Sequence, residues 1–223
     1  MSNNLLIVES YNDKFFIERL QRELRDADFL VDKPIINDFE CLGGLTQKSL
    51  QDKLQEVSFD IGKRGLSKIG ILVDANSVGI QDRVELINKA IKSIDPNMNM
   101  LATNTWYNSA SLDVSFSCHI LNVNGFGELE TLLKTIKNKS SPYADCLNAW
   151  RSCLDNADAK AIGDKDFNKF WVNVYQRYDG CSKDDQKQAG RKCNLQASLE
   201  KDLWDFSHSV LHDLKAYLQA FNN

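Results

Sequence analysis

Five carboxylates in three short stretches carry the chemistry open to this chain of 223 residues. Glu9 ends the apolar run "LLIVE", and Asp13 follows four positions later, where an amphipathic pattern begins. Asp74 ends "KIGILVD", and Asn76 stands two positions on. Glu128 and Glu130 follow the apolar "HILNV", within "GFGELE". One pattern thus recurs three times: an apolar segment running into acid. In an open α/β sheet, ligands bind beyond the carboxyl ends of the strands. If the three segments are neighbouring parallel strands, their carboxylates gather at one edge of the sheet. Gathered carboxylates repel, and burying them unpaired is costly. A hard divalent cation resolves that conflict, since Mg²⁺ favours one or two carboxylates with water and phosphate oxygens. Such an ion activates water and stabilises a phosphodiester in transit. The pattern therefore points to phosphoryl transfer.

Each of these residues also has a purely structural use. Asp13, Glu128 and Glu130 stand where the first turn of a helix favours negative charge. Asp74-Ala75-Asn76 reads equally well as an ordinary turn after a strand. Recurrence at three strand ends is what favours the chemical reading.

The elements that must position these residues alternate in the first half. "LLIVE" (5–9) and "KIGILVDAN" (68–76) are short continuous apolar runs, the pattern of strands buried on both faces. Residues 13–26 place Phe16, Leu20 and Leu24 on one helical stripe. "FLVDKPIIND" (29–38) reads as a second strand, with Pro34 marking an edge or an irregularity. The glycine pair of "CLGGL" marks a turn, and Thr46 is the predicted N-cap of a helix burying Leu50, Leu54 and Val57. Residues 81–94 form another amphipathic helix, and strands separated by such helices imply parallel crossovers. "NTWYNSA" and "LDVSFSCHILNV" follow as further strands, and "GELETLLKTIK" (127–137) begins a helix. From about residue 142 the signal is helical throughout, with Pro142 at a helix start.

Composition excludes some classes and leaves others open. A hydrophobic content of 43% and a charged content of 26% describe an ordinary globular protein. A net charge of −4 argues against coating nucleic acid through general electrostatics, yet leaves room for a nucleic-acid enzyme. No apolar run approaches the roughly 20 residues needed to cross a bilayer, and "MSNN" lacks the basic region of a secretory signal. Six cysteines without a CxxC pair fit reduced thiols and a cytoplasmic protein. Cys146 and Cys153, seven apart, read as buried thiols on one helical face.

Other candidates weigh less. His208 and His212 have the i, i+4 spacing of zinc ligands on a helix, but no HExxH surrounds them. His119 lies inside a strand-like run and reads as structural. Phe167, Phe170, Trp171, Val174, Tyr175 and Tyr178 have the helical spacing of core residues. Lys134, Lys137 and Lys139, and the "GRKC" at 190–193, are modest basic runs. "CLGGL" lacks the patterns of the common nucleotide-binding loops.

The stretches "LLIVESYNDKFFIERL", "CLGGL", "KIGILVDAN" and "GFGELETLL" occur in the order of a Toprim-like domain. That family unites catalytic modules of topoisomerases and primases with small Toprim proteins and overcoming-lysogenization-defect-type nucleases. With the helical "KDLWDFSHSVLHDLKAYL" after the sheet, most of the chain resembles the small bacterial DUF3226-type group. The resemblance implies acid/base or metal work for Glu9 and assigns Asp13 to the acidic position of the nuclease-like branch. It makes Asp74 the first aspartate of a DxD metal motif. Glu130 matches a later acidic residue, with Glu128 as the neighbouring alternative. Two positions depart from the pattern. Asn76 replaces the second DxD aspartate, so its amide oxygen can ligate Mg²⁺ but adds no charge. Ser10 replaces the glycine that commonly follows the glutamate.

The resulting expectations are these. The fold is α/β and Toprim-like, with a mostly parallel sheet of about four strands flanked by helices. It spans residues 1–140, and residues 141–223 form a helical extension packed on it. The expected activity is Mg²⁺- or Mn²⁺-dependent phosphoryl transfer on nucleic acid, as in a nuclease. Glu9 and Asp13 are the catalytic candidates, and Glu9, Asp74, Asn76, Glu128 and Glu130 the metal candidates. The alternative is a non-catalytic module binding nucleic acid or a protein partner, for example in phage defence. A homo-oligomer is compatible with either reading, and no membrane is involved in either.

Overall fold

The computed structural model describes residues 3–28, 35–157 and 159–222. Strand β1 (Asn3–Val8) leads into helix α1 (Tyr11–Asp28), β2 (Asp38–Cys41) into α2 (Gln47–Arg64), and β3 (Leu66–Asp74) into α3 (Ile80–Ile91). The short β4 (Tyr107–Ser109) precedes β5 (Val114–Leu121) and α4 (Leu129–Thr135). Then follow α5 (Pro142–Asp145), α6 (Leu147–Asn156), α7 (Asp164–Tyr178), α8 (Lys183–Gln186) and α9 (Ala189–Lys192). The described chain closes with α10 (Leu195–Leu199), a 3₁₀ turn at Ser209–Leu211, and α11 (His212–Gln219). Among the described residues no helix is long and apolar enough to cross a membrane.

The sheet has five strands in the order β2-β1-β3-β5-β4, parallel except for β4, which runs antiparallel to β5 at one edge. Its inner strands are apolar because both faces are covered. Leu6 and Val8 of β1 point to one core and Leu5 and Ile7 to the other, all fully buried. The core containing Leu5 and Ile7 is closed by α2 and α3 through Leu50, Leu54, Val84 and Ile87. The opposite core joins α1 and α4 to the carboxyl-terminal helices through Phe16, Leu132, Trp171, Tyr175 and Tyr217. Gly70 in β3 is what lets the last helix settle there. A Cβ at this position would lie 2.5 Å from both the Phe221 ring and the Tyr217 hydroxyl.

Local signals behave as their chemistry requires. Thr46 caps α2, its hydroxyl accepting from the Ser49 N–H at 2.9 Å. Gly65 ends the same helix at φ 60°, a left-handed conformation that suits glycine. Ser141 caps α5 with Pro142 in its first turn.

Several expectations need correction. The second strand is Asp38–Cys41; of the stretch predicted for it, residues 29–34 lie outside the described residues. Ile35 and Ile36 are buried in a bend before the strand, with the Ile36 N–H donating to Gln21 Oε1 at 2.8 Å. Residues 199–221 are not one helix, because the chain turns at Asp205–Ser207, where the Asp205 carboxylate accepts from the Ser207 N–H at 2.8 Å. His208 therefore sits outside α11 and caps the 3₁₀ turn, its Nδ1 accepting from the Val210 N–H at 3.1 Å. The two histidines do not share a helix face. Cys146, at the end of α5, and Cys153, in α6, are both exposed, since this stretch lies at the surface. Nor are all six thiols free: Cys181 and Cys193 form a disulfide, the turns after α7 bringing their Cα atoms to 6.0 Å. Phe167, Trp171 and Tyr175 are core residues as expected, but Phe170 and Tyr178 are exposed.

Candidate functional site

The strand ends deliver their acids to one place. Glu9 follows β1 directly, Asp74 closes β3, Asp13 lies in the first turn of α1, and Glu130 lies in the first turn of α4. All four line a single cavity of about 450 Å³. A Glu9 carboxylate oxygen stands 3.5 Å from the Asp74 backbone nitrogen. A larger cavity of about 560 Å³ lies between α1, β2 and α10, but it draws on none of these four acids.

Asp13 is 5% exposed, and burial pushes its carboxyl up to about 6. Hydrogen bonds from the Ser10 N–H (2.8 Å) and hydroxyl (2.7 Å) work against that shift, while the charges of Glu9 and Glu130 add to it. Ser10 thus holds Asp13 in place, a role that a glycine could fill only with its backbone. Asp74 is 8% exposed and pushed well above the usual carboxylate range, first by burial and then by Asp13, Glu9 and Glu130. Glu130 is raised for the same leading reason, with Lys169 and Lys165 opposing.

Those lysines come from α7, and sequence reasoning missed them. Lys165, Lys169, Val172, Asn173 and Gln176 recur along one side of that helix and line the wall facing the acids. The signal was present as a polar stripe at helical spacing beside the aromatic one. Only the packing of α7 against α4 reveals what the stripe faces.

Asn76 and Glu128 are placed differently. They border a second cavity, which Lys165 also lines. Asn76 adopts φ 50°, its backbone exchanges hydrogen bonds with Gly127 at 2.7 and 2.9 Å, and its side-chain oxygen accepts from Lys165 Nζ at 2.8 Å. Glu128 stands at the N-cap of α4. Its carboxylate accepts from the Thr131 hydroxyl at 3.0 Å and the Asn168 amide at 3.2 Å. Of the two glutamates, Glu130 faces the acid cluster and Glu128 serves the helix start.

Two lysines of the basic run in and after α4 are engaged elsewhere. Lys134 lies over the Phe167 ring at 5.0 Å, and Lys137 pairs with Asp145 at 2.6 Å. His119 is 7% exposed, its Nδ1 lying 2.8 Å from Asn104 Oδ1 and its ring stacked on Tyr217.

Carboxylate oxygens gathered in a buried cavity are the donors that a hard divalent cation prefers. Among the described residues, however, no three His, Cys, Asp or Glu side chains form a ready-made ligating group as they stand.

Fold and site together define an α/β protein with an acidic cavity at the carboxyl ends of its parallel strands. The profile of the family described as protein of unknown function (DUF3226) matches residues 3–223, and the chain belongs to that family. No curated protein and no solved structure matches it.

Proposed function

We propose that this protein is a Toprim-like, Mg²⁺- or Mn²⁺-dependent phosphoryl-transfer enzyme acting on nucleic acid, most simply a nuclease. The observation that carries the reading is the convergence of Glu9, Asp13, Asp74 and Glu130 on one cavity with two lysines across from them. Glu9, Asp74 and Glu130 would hold the ion, which supplies a Lewis acid for the phosphodiester and a more acidic water. Asp13, raised to about 6 and held by Ser10, is placed to take a proton near neutral pH. Lys169 supplies positive charge that can meet a phosphate oxygen, and Asn173 offers an amide beside it.

One observation favours the alternative, a non-catalytic module for nucleic acid or a protein partner. The Asn76 amide is uncharged and already engaged by Lys165.

A cleavage assay on single- and double-stranded DNA and RNA, with and without Mn²⁺, separates the two readings. The enzyme reading expects metal-dependent cleavage that falls at least about a hundredfold in Asp13→Asn, the scale on which general acid–base groups act, and that is lost with the ion in Glu9→Gln. It also expects thermal stabilisation by millimolar metal that disappears in that variant. Binding without cleavage on every substrate, and no metal-induced shift, would establish the module instead.

A further inference from the structure

Lys165 reaches from α7 to the loop that follows β3, beside the acidic strand ends. Its Nζ donates to the side-chain oxygen of Asn76 across 2.8 Å, and the residue lines both the acid-bearing cavity and its neighbour. Neither partner is placed by chance. Asn76 is fixed by its two backbone hydrogen bonds to Gly127. Lys165 rides on a helix anchored by buried Phe167, Trp171 and Tyr175 and tied to α4 through Asn168. An ammonium in this position offers what a cation offers a neutral amide oxygen: positive charge at hydrogen-bonding distance. It also opposes the rise in the Asp74 and Glu130 carboxyls.

We propose that Lys165 is a built-in cation, whose ammonium serves the Asn76 side of the site so that the carboxylates hold a single divalent ion. The proposal rests on the metal-binding reading above and deepens it by setting the ion count. Charge balance supports one ion. Lys165, Lys169 and one divalent cation together offset Glu9, Asp13, Asp74 and Glu130, whereas a second ion would leave the cavity positive. Asn76 supports it as well. A neutral oxygen engaged by a lysine adds little to the affinity of a metal that prefers carboxylates.

The test is the number of Mn²⁺ ions bound per chain, read by calorimetry and by the loss of the free-ion electron paramagnetic resonance signal. It is run on the full-length wild type, Lys165→Met, Lys165→Arg and the double variant Lys165→Met/Asn76→Asp. The expected result is one ion for the wild type and for Lys165→Arg. Lys165→Met admits a second, weaker ion, and the double variant tightens that ion at least about tenfold, as one added carboxylate ligand should. Lys165 is exposed, so its single variants should keep the cooperative thermal unfolding that serves as the folding control. Two ions on the wild type, or one ion on both Lys165→Met and the double variant, would overturn the built-in cation and leave the metal site standing. No ion on the wild type would remove the metal reading itself, and this inference with it.

Discussion

Asp74 stands under two penalties, burial and the like charges of Asp13 and Glu9. A protein that keeps such a carboxylate sacrifices stability unless something positive arrives. Asp74→Asn removes the charge and keeps the shape. In chelator, the variant should be more stable than the wild type by roughly 0.5–2 kcal/mol, the range for relieving a functional strain. On adding Mn²⁺ the order should reverse or close. Urea unfolding in both buffers checks this, and a variant weaker than wild type in chelator would mean that the carboxylate supports the fold. His119 makes a pH prediction of opposite logic. Burial lowers it to about 4, with Asp213 pulling back. Between about pH 4 and 6.5 the unfolded chain binds the proton and the folded chain does not, so stability rises with pH through that window. The loss on acidification amounts to about 3 kcal/mol. His119→Gln should flatten the wild-type curve between pH 6.5 and 4 by that order, measured as a difference at each pH.

Among the elements, β3 shows most clearly how one residue governs the packing of another. Gly70→Ala would drive a methyl group into the Phe221 ring and the Tyr217 hydroxyl. Overpacking of this kind costs about 1–3 kcal/mol, which should appear as a lowered urea midpoint with little change in slope. Element by element, the chain was legible where one physical cause dominated. The strands β1, β3 and β5 stood out because both faces are buried, and α2 because Thr46 announces it. β2 was misplaced because an edge strand reading Asp-Phe-Glu-Cys is half-exposed, while the apolar Ile35-Ile36 beside it buries itself in a bend. The break at Asp205–Ser207 escaped notice because large apolar residues continue across it at nearly helical spacing. In the site, the acids were readable since each closes an apolar run. Lys165 and Lys169 were not, because what they face is decided by how α7 docks about a hundred residues downstream.

For the molecule as a whole, the sheet and the carboxyl-terminal helices share one core. Trp171, Tyr175, Leu211 and Tyr217 pack in the same cluster as Leu6, Val8 and Phe16. A chain ended after Ser141 would expose that face of the sheet. It should lose cooperative unfolding and dispersed amide signals in solution, although it retains all five strands. A well-folded fragment would instead mark residues 1–140 as a self-sufficient unit. The same sharing bears on traffic into the acidic cavity. Because α7 has its aromatic side in the core and its polar side on the cavity wall, that wall cannot flap on the nanosecond scale of a surface loop. Moving α7 away from that cavity calls for packed helices to shift together, a microsecond-to-millisecond event. The wall that faces the carboxylates is thus as firm as the hydrophobic layer behind it.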